Sequence, residues 1–292
     1  MNIVQINSGL GNQLFQYAFS RALQQQQPDT LLDISQYQYR PVHNGYELER
    51  LFCIHARYAS AAQRDQLADI SKDTLSVIRR ALFGQKKCSG QYVVEPMDNP
   101  VYNEQYLSLD NCYFKGYWQT EKYFKPIEEL LRHELQFKLC LTAREDLQLR
   151  EQLEHSESVA IHVRLGDYTK KRRIDDYCVC TQTYYNNAVN LLRQSVKNPI
   201  FYVFSDDVEQ VKQTMIMPEN VVYVEGHSGQ DSWKDMYLMT RAKHNIIANS
   251  TFSWWGAWLN QHKGKKVVAP TIWFRHRQRR DIIAEGWSTV EV

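Results

Sequence analysis

The first thirty residues change from a short apolar stretch to a glycine turn and then to a helical pattern. Residues 3–6 are mainly apolar, and residues 9–13 form a turn of glycine, asparagine and glutamine around one leucine. Between residues 14 and 22 apolar side chains recur at every fourth position, and the pattern ends before Pro28. This order of strand, turn and helix predicts the start of an α/β unit.

The middle of the chain gives a weaker pattern. Residues 29–110 contain tyrosine-rich polar stretches, with helical periodicity near residues 60–83. Residues 127–154 are strongly helical, with leucines spaced among charged side chains. These stretches predict helices without defining the strands between them.

Beyond residue 156 short apolar stretches alternate with helical patterns. The predicted strands cover residues 159–164, 200–204, 221–224, 245–248 and 266–269, and the predicted helices cover 183–196, 207–216 and 231–243. Such alternation implies a parallel sheet with right-handed crossovers. We therefore predict an α/β chain of two Rossmann-like halves, residues 1–155 and 156–292, with a cleft between them. The boundary is placed in the polar stretch 154–158.

Composition and charge exclude several classes of protein. The chain has 292 residues, and its 35 Lys and Arg nearly balance 33 Asp and Glu, for a formal net charge of +2. A nucleic-acid-binding protein would carry a basic excess, so no nucleic-acid partner is expected. Hydrophobic residues make up 43% of the chain, which excludes a disordered protein.

The cysteines and the amino terminus predict a cytoplasmic location. The six cysteines are scattered, apart from Cys178 and Cys180, and none is spaced like a structural zinc site. The amino terminus lacks the features of a signal peptide, and no apolar run approaches the ~20 residues of a spanning helix. We therefore expect a cytoplasmic protein with reduced thiols, with peripheral contact to the inner face of the cytoplasmic membrane as a further option.

The glycine turn at residues 9–13 is the first candidate site. Gly9 and Gly11 allow a ligand to approach the backbone, and amides at a helix start favour phosphate groups. As a dinucleotide fingerprint the turn is incomplete, because Leu14 stands where the third glycine belongs. The alternative is a tight turn in which Asn12 caps the helix.

The second candidate site lies at the end of the predicted strand 159–164. In an extended strand His162 and Arg164 lie on one face, and ligands bind at the carboxyl ends of parallel strands. The guanidinium of Arg164 matches phosphate oxygens in pairs, which suits a diphosphate. The alternative is that Arg164 pairs with Asp167 and has only a structural role at the end of the strand.

Two adjacent carboxylates, Asp206 and Asp207, follow the predicted strand 200–204. Asp206 with Glu209 resembles a helix-capping pair, so one carboxylate is expected to cap the next helix. The other carboxylate could accept hydrogen bonds from a ribose or a guanine edge. A nucleotide-binding role and a purely structural role are both open here.

A cluster of small polar residues follows the predicted strand 245–248. It contains Asn249, Ser250, Thr251, Phe252 and Ser253, ahead of an aromatic helix. Small polar groups and helix-start amides suit a diphosphate. The alternative is an extended helix cap, with Trp254, Trp255 and Trp258 packed in the core.

Three familiar motifs are absent from the sequence. No Asp-x-Asp triplet occurs, although this carboxylate pair holds the divalent cation in many metal-dependent sugar transferases. The chain also lacks a Walker-type phosphate loop and a G-x-S-x-G nucleophile elbow. We therefore expect no metal ion and no other cofactor.

Together the four segments resemble the α1,2-fucosyltransferase family, which occurs in bacterial surface-polysaccharide synthesis and in animals. The matching stretches are GLGNQLFQYA at 9–18, HVRLGDY at 162–168, FSDD at 204–207 and NSTFSWW at 249–255. They stand in the family's order and span most of the chain. Leu165 is a departure, since many members carry a second arginine there, and Arg164 stands alone.

The resemblance implies a fold, a reaction and a division of roles. The fold is of GT-B type, with two Rossmann-like domains facing each other across a cleft and no metal requirement. The reaction moves L-fucose from GDP-fucose, with inversion, to the 2-hydroxyl of a terminal galactose in an O-antigen type repeat unit. The carboxy-terminal half would bind GDP-fucose, and the amino-terminal half would bind the galactose-terminated glycan, free or lipid-linked.

The resemblance also implies the site residues. Asn12 and Arg164 would be catalytic, together with Asp167, which would either hold Arg164 in place or act as a base. The implied donor-binding residues are Gly9, Gly11, Gln13, His162, Asp206, Asp207, Asn249, Ser250, Thr251, Phe252 and Ser253. Two alternative functions are a Rossmann-type nucleotide-dependent oxidoreductase and a non-catalytic sugar-binding module. The first lacks the third glycine, and the second leaves Arg164 unexplained.

Overall fold

A computed structural model describes residues 1–39, 42–54, 56–71, 73–166, 174–177, 180–277, 279 and 281–292. The chain divides into two compact units, Met1–Lys138 and Leu139–Val292. We call them the amino-terminal and the carboxy-terminal unit. None of the helices in these described ranges is both long and apolar enough to cross a membrane.

The amino-terminal unit is built on a parallel sheet of short strands. The strands are β1 (Ile3–Gln5), β2 (Leu31–Asp33), β3 (Gln91–Val94) and β4 (Cys112–Lys115), in the order β2-β1-β4-β3. The helices are α1 (Leu10–Gln24), α2 (Gln36–Tyr39), α3 (Leu48–Leu51), α4 (Ala61–Leu67), α5 (Thr74–Phe83), α6 (Gln105–Ser108) and α7 (Glu128–Glu134). Phe19 of α1 stacks on Trp118 with ring centroids 4.2 Å apart, which ties α1 to the segment that follows β4.

The carboxy-terminal unit contains a larger parallel sheet. Its strands are β5 (Ser158–Val163), β6 (Ile200–Ser205), β7 (Val221–Tyr223), β8 (His244–Ile246), β9 (Val267–Pro270) and β10 (Ser288–Val290), in the order β10-β9-β8-β5-β6-β7. Its helices are α8 (Arg144–His155), α9 (Ile174–Tyr177), α10 (Gln182–Arg193), α11 (Val208–Thr214), α12 (Trp233–Met239) and α13 (Thr251–Leu259). Every residue of β5 is buried, as expected for a central parallel strand covered on both faces. The end of β5 is therefore held rigidly inside the unit.

The predicted α/β class is confirmed, because each of the two units contains a parallel sheet with helices between its strands. All five strands predicted after residue 156 are present, whereas β10 was not predicted. The units divide between Lys138 and Leu139, whereas the sequence placed the boundary near residue 155. The difference arises because α8 packs with the second sheet. Its Asp146 Oδ1 lies 2.9 Å from His227 Nε2, and Ser158 Oγ donates to Leu153 O over 2.6 Å.

Candidate active site

An arginine and a carboxylate meet at the carboxyl edge of the larger sheet. β5 and β6 pair in parallel up to Val163 and Ser205, so the residues that follow each strand, Arg164 and Asp206, emerge side by side. Arg164 Nη1 lies 3.1 Å from Asp206 Oδ2, and both side chains are partly exposed. Because the two strands are in parallel register, Asp206 lies next to Arg164 and orients its guanidinium. The guanidinium thus lies at the carboxyl ends of the strands, which is where ligands bind in parallel α/β sheets.

Asp206 also shapes the turn that follows β5. The backbone N–H of Leu165 donates to Asp206 Oδ1 over 2.9 Å. A Cβ atom on Gly166 would lie 2.0 Å from Asp206 Oδ2, so a larger residue could not occupy position 166 without moving the carboxylate. Asp206 is therefore a structural partner of Arg164. The predicted partner and candidate base, Asp167, lies outside the described residues.

The second carboxylate of the pair caps a helix. Asp207 is the N-cap residue of α11, and its Oδ1 accepts a hydrogen bond of 2.9 Å from the N–H of Gln210. The sequence had suggested Asp206 with Glu209 as the capping pair, so the cap lies one residue later than expected. The shift follows from the length of β6, which continues through Ser205. Contact between Asp207 and a nucleotide stays a prediction.

His162 is a buried histidine next to this edge. Its side chain is 4% exposed, and Nδ1 has no hydrogen-bond partner among the described residues. Burial lowers the pKa of His162 to about 3, with a further contribution from the positive charge of Arg164. The ring lies 5.8 Å from that of Phe252, measured between centroids. His162 is therefore a neutral imidazole with an unused polar atom, and such an atom costs about 1–3 kcal/mol until it finds a partner.

The polar cluster after β8 divides into structural and exposed parts. Asn249 Nδ2 donates to the carbonyl oxygens of Tyr177 and Trp273, each over 2.9 Å, so this amide joins three chain segments. Ser253 Oγ is buried and donates to Ser250 O over 3.1 Å. These contacts explain why the cluster is rich in small polar groups, and they leave ligand binding by these side chains a prediction.

The first turn of α13 is the part of this cluster that suits an anion. Thr251 and Phe252 are partly exposed there, and the N-cap residue Ser250 makes no side-chain hydrogen bond that caps the helix. The first N–H groups of a helix lack intrahelical acceptors and carry partial positive charge. Such N–H groups suit an anion, so anion binding at the start of α13 stays a prediction. The tryptophans that follow, Trp254, Trp255 and Trp258, are buried and pack on one another, as the core interpretation expected.

The glycine turn of the amino-terminal unit opens α1. Gly9 is the N-cap residue, and a Cβ there would lie 3.3 Å from the ring of His43. Asn12 does not cap the helix. Its Oδ1 instead accepts a hydrogen bond of 2.7 Å from Gln119 Nε2, which connects α1 to the segment after β4. Gly11 lies buried in the first turn, so its backbone is covered within the unit.

Gln13 is fully occupied by contacts within the amino-terminal unit. Its Nε2 donates to Ser8 O over 3.1 Å and to Gly45 O over 2.8 Å, and its Oε1 accepts from the N–H of Glu47 over 2.9 Å. The side chain is completely buried. Gln13 thus holds residues 45–47 against the glycine turn, and donor binding by Gln13 stays a prediction.

A cavity of about 570 Å³ lies at the carboxyl ends of all the strands in the amino-terminal sheet. The ends of the four strands contribute Gln5, Asp33, Val94 and Lys115 to its wall. Other lining residues are Asn7, Arg64, Asp69, Arg80, Tyr92, Met97 and Tyr117. Its volume falls within the range of ~300–1,000 Å³ that is typical of small-molecule sites. We call it the amino-terminal cavity.

The carboxylates of the amino-terminal cavity are already neutralised by protein groups. Asp33 accepts from Tyr113 Oη over 2.6 Å and pairs with Arg64 at 3.3 Å. Asp69 is paired with Arg80 at 3.3 Å. Besides these paired groups, the wall of the cavity contains the amides of Gln5 and Asn7, the ammonium group of Lys115 and the rings of Tyr92 and Tyr117. This cavity was not predicted from the sequence, although Asp33 at the end of an apolar stretch was a signal for it.

Comparisons with known proteins show which proteins this chain is similar to. Residues 92–291 match the family model described as glycosyl transferase family 11. An Escherichia coli α-1,2-colitosyltransferase is 31% identical, with 99% of this chain and 98% of that protein covered. An O-antigen biosynthesis glycosyltransferase, WbnK of E. coli, is 28% identical over 97% of this chain and 98% of its own length.

More distant similarity extends to animals. The human galactoside α-(1,2)-fucosyltransferase 1 is 27% identical over 87% of this chain and 64% of that protein. The family match spans more than half of the chain and excludes the oxidoreductase and the non-catalytic module as alternatives. The protein belongs to glycosyl transferase family 11 and is a glycosyltransferase.

Proposed function

We propose that the protein transfers L-fucose from GDP-L-fucose to the 2-hydroxyl of a terminal galactose, in a glycan of the O-antigen type. The observation that carries the proposal is the group at the edge of the larger sheet. There, Arg164 is held by Asp206, close to the neutral His162 and the first turn of α13. Guanidinium and backbone amides together suit the diphosphate of a sugar nucleotide.

The carboxy-terminal unit would bind the donor. Arg164 and the amides of residues 251–253 would contact the diphosphate, and His162 would offer Nδ1 to the nucleotide. Negative charge develops on the diphosphate as the sugar leaves, and a fixed donor at such a charge contributes about 3 kcal/mol. We propose that these groups supply the compensating charge without a metal ion.

The amino-terminal unit would bind the acceptor. Its cavity combines hydrogen-bond donors with the rings of Tyr92 and Tyr117, which suits a saccharide. The acceptor 2-hydroxyl would attack the anomeric carbon from the face opposite GDP. The new carbon–oxygen bond forms as the bond to the diphosphate oxygen breaks, and the hydroxyl proton leaves late and passes to water. Asn12, positioned by Gln119, would orient a reactant rather than remove this proton.

A second donor has one specific observation in its favour. The E. coli relative at 31% identity is named a colitosyltransferase. Colitose is L-fucose without the 3-hydroxyl, so the two donors place the same diphosphate and the same reacting carbon in the site. The protein could distinguish the two donors only through a hydrogen bond to the 3-hydroxyl of fucose. Such a bond gives strong selectivity when the protein group that makes it would remain unpaired with the other donor.

The experiment measures GDP release with each donor and matched acceptors. The purified protein is given GDP-L-fucose or GDP-colitose, with a β-galactoside or its 2-deoxy analogue. We expect release with GDP-L-fucose and the β-galactoside, and none above hydrolysis with the 2-deoxy analogue. Faster GDP release from GDP-colitose than from GDP-L-fucose would identify colitose as the transferred sugar. Equal GDP release with the β-galactoside and its 2-deoxy analogue would contradict the acceptor assignment.

A further inference from the structure

Helix α5 of the amino-terminal unit has its apolar side facing outward. In a surface helix of a globular domain the apolar side chains normally face the core. In α5 no residue is buried, and Leu75, Leu82 and Phe83 are 80%, 70% and 81% exposed. Ile78 is exposed on the same side of the helix as these three residues, whereas Val77 is exposed on the opposite side. We call Leu75, Ile78, Leu82 and Phe83 the apolar face of α5.

Charged side chains attach α5 to the rest of the unit. Arg79 and Arg80 are partly buried, and both form ion pairs with the buried carboxylate of Asp69. Asp73 caps the start of the helix by accepting from the N–H of Ser76 over 2.9 Å. The helix is thus anchored through charge and capping, and its orientation keeps the apolar face away from the unit.

Positive charge accompanies the apolar face. Residues 74–90 contain four cations, Arg79, Arg80, Lys86 and Lys87, and no carboxylate. Lys86 and Lys87 are exposed and have no ion-pair partner in the described part of the chain. An exposed apolar helix next to lysines is the pattern of a segment that lies in a membrane interface. Lysines near the surface add attraction to anionic lipids.

We propose that α5 docks this protein on an anionic lipid bilayer, with its apolar face inserted among the headgroups and Lys86 and Lys87 at the lipid phosphates. A second copy of the chain is a poorer occupant. A pairing of two such faces would bring the lysines of both copies together with no carboxylate between them, and like charges oppose association.

Docking through α5 would fix the position of the amino-terminal cavity relative to the bilayer. Arg80 and Asp69 line that cavity and also hold α5 in place. A bilayer against the apolar face would therefore lie next to the cavity, where a glycan attached to a lipid anchor is within reach. Vesicle binding needs no catalytic turnover, so its outcome is independent of the donor and acceptor assignments.

The test is cosedimentation of the full chain with lipid vesicles. One set contains phosphatidylcholine alone, and the other contains equal parts of phosphatidylcholine and phosphatidylglycerol. We expect binding to the anionic vesicles at least about tenfold tighter than to the neutral ones, and weaker binding as salt increases. Absence of binding to anionic vesicles, or equal binding to both sets, would overturn the proposal.

Variants locate the contact. The triple substitution Leu75→Ser, Leu82→Ser and Phe83→Ser should weaken anionic-vesicle binding by about tenfold or more. Ile216→Ser removes an apolar side chain that is 83% exposed in the other unit, and it should leave binding unchanged. Unchanged binding by the triple variant would overturn the assignment to α5. So would a wild-type dimer that the triple variant converts to a monomer without any vesicle binding, since a second copy would then cover the face.

Discussion

At the scale of single residues, the donor-side chemistry depends on one guanidinium with a fixed partner. Arg164 could be selected from the sequence because it ends a strand after a histidine on the same face. Its partner could not, because Asp206 lies 42 positions away and meets Arg164 only through the parallel register of β5 and β6. The sequence pointed to Asp167, the nearest carboxylate along the chain; this residue lies outside the described part of the structure, so its pairing with Arg164 stays a prediction.

Replacing Arg164 by lysine tests the guanidinium itself. Arg164→Lys keeps the charge but not the paired N–H groups, so we expect kcat to fall by about tenfold or more. Steady-state kinetics with saturating donor measures this. Arg241→Lys, at a side chain 44% exposed in the same unit, is the matched control and should retain activity. Activity of Arg164→Lys within twofold of wild type would remove Arg164 as the diphosphate anchor.

His162 gives a prediction about pH. Because the pKa of His162 lies at about 3, its imidazole is neutral at every pH between about 5 and 8. His162→Ala should therefore raise the donor KM by about tenfold with little change in kcat, and by the same factor at every pH between about 5 and 8. His155→Ala, at an exposed histidine of α8, serves as control. A factor that changes through about pH 6.5 would mean that a protonated His162 takes part.

At the scale of elements, the sequence predicted the strands of the carboxy-terminal unit better than those of the amino-terminal one. β5 and β6 are six-residue, mainly apolar stretches, whereas among the amino-terminal strands only β1 matches a predicted stretch, residues 3–6. β2 has three residues and β3 has four, and both lie within the tyrosine-rich polar stretches of residues 29–110, where short apolar runs do not stand out. The amino-terminal cavity was missed for the same reason, since it is assembled from the ends of these short strands.

Substitutions of Asp207, the N-cap residue of α11, distinguish a structural role of this side chain from a role in nucleotide binding. Asp207→Ala should lower the free energy of unfolding by about 1 kcal/mol through loss of the cap, and Asp207→Ser should restore most of it. If the carboxylate also contacts the nucleotide, the donor KM stays raised in both variants. A donor KM that recovers in Asp207→Ser would assign the whole effect to the cap. Chemical denaturation and donor titration give the two readouts.

At the scale of the whole molecule, the candidate chemistry is divided between two units. The carboxy-terminal unit has an arginine and the amides of a helix start near the edge of its sheet, and the amino-terminal unit has a cavity lined by polar and aromatic side chains. This division suits a reaction that joins two substrates. Family membership supplies the reaction type, which neither periodicity nor composition could give, because one fold supports many chemistries.

Charge compensation by protein groups predicts the response to chelators. We expect turnover to continue in excess EDTA at the rate without chelator, because Arg164 and the amides at the start of α13 would offset the diphosphate charge. The measurement is GDP release before and after chelation. Loss of turnover with EDTA, followed by recovery on addition of Mn²⁺ or Mg²⁺, would show that the protein groups do not suffice.

The most direct test of the proposed function is the structure of the product. The purified protein is incubated with GDP-L-fucose and a β-galactoside, and the linkage and anomeric configuration of the product are determined by NMR. We expect α-L-fucose on the 2-hydroxyl of galactose, with the configuration inverted from that of the β-linked donor. Attachment at another hydroxyl, or a β-linked product, would contradict the proposed function.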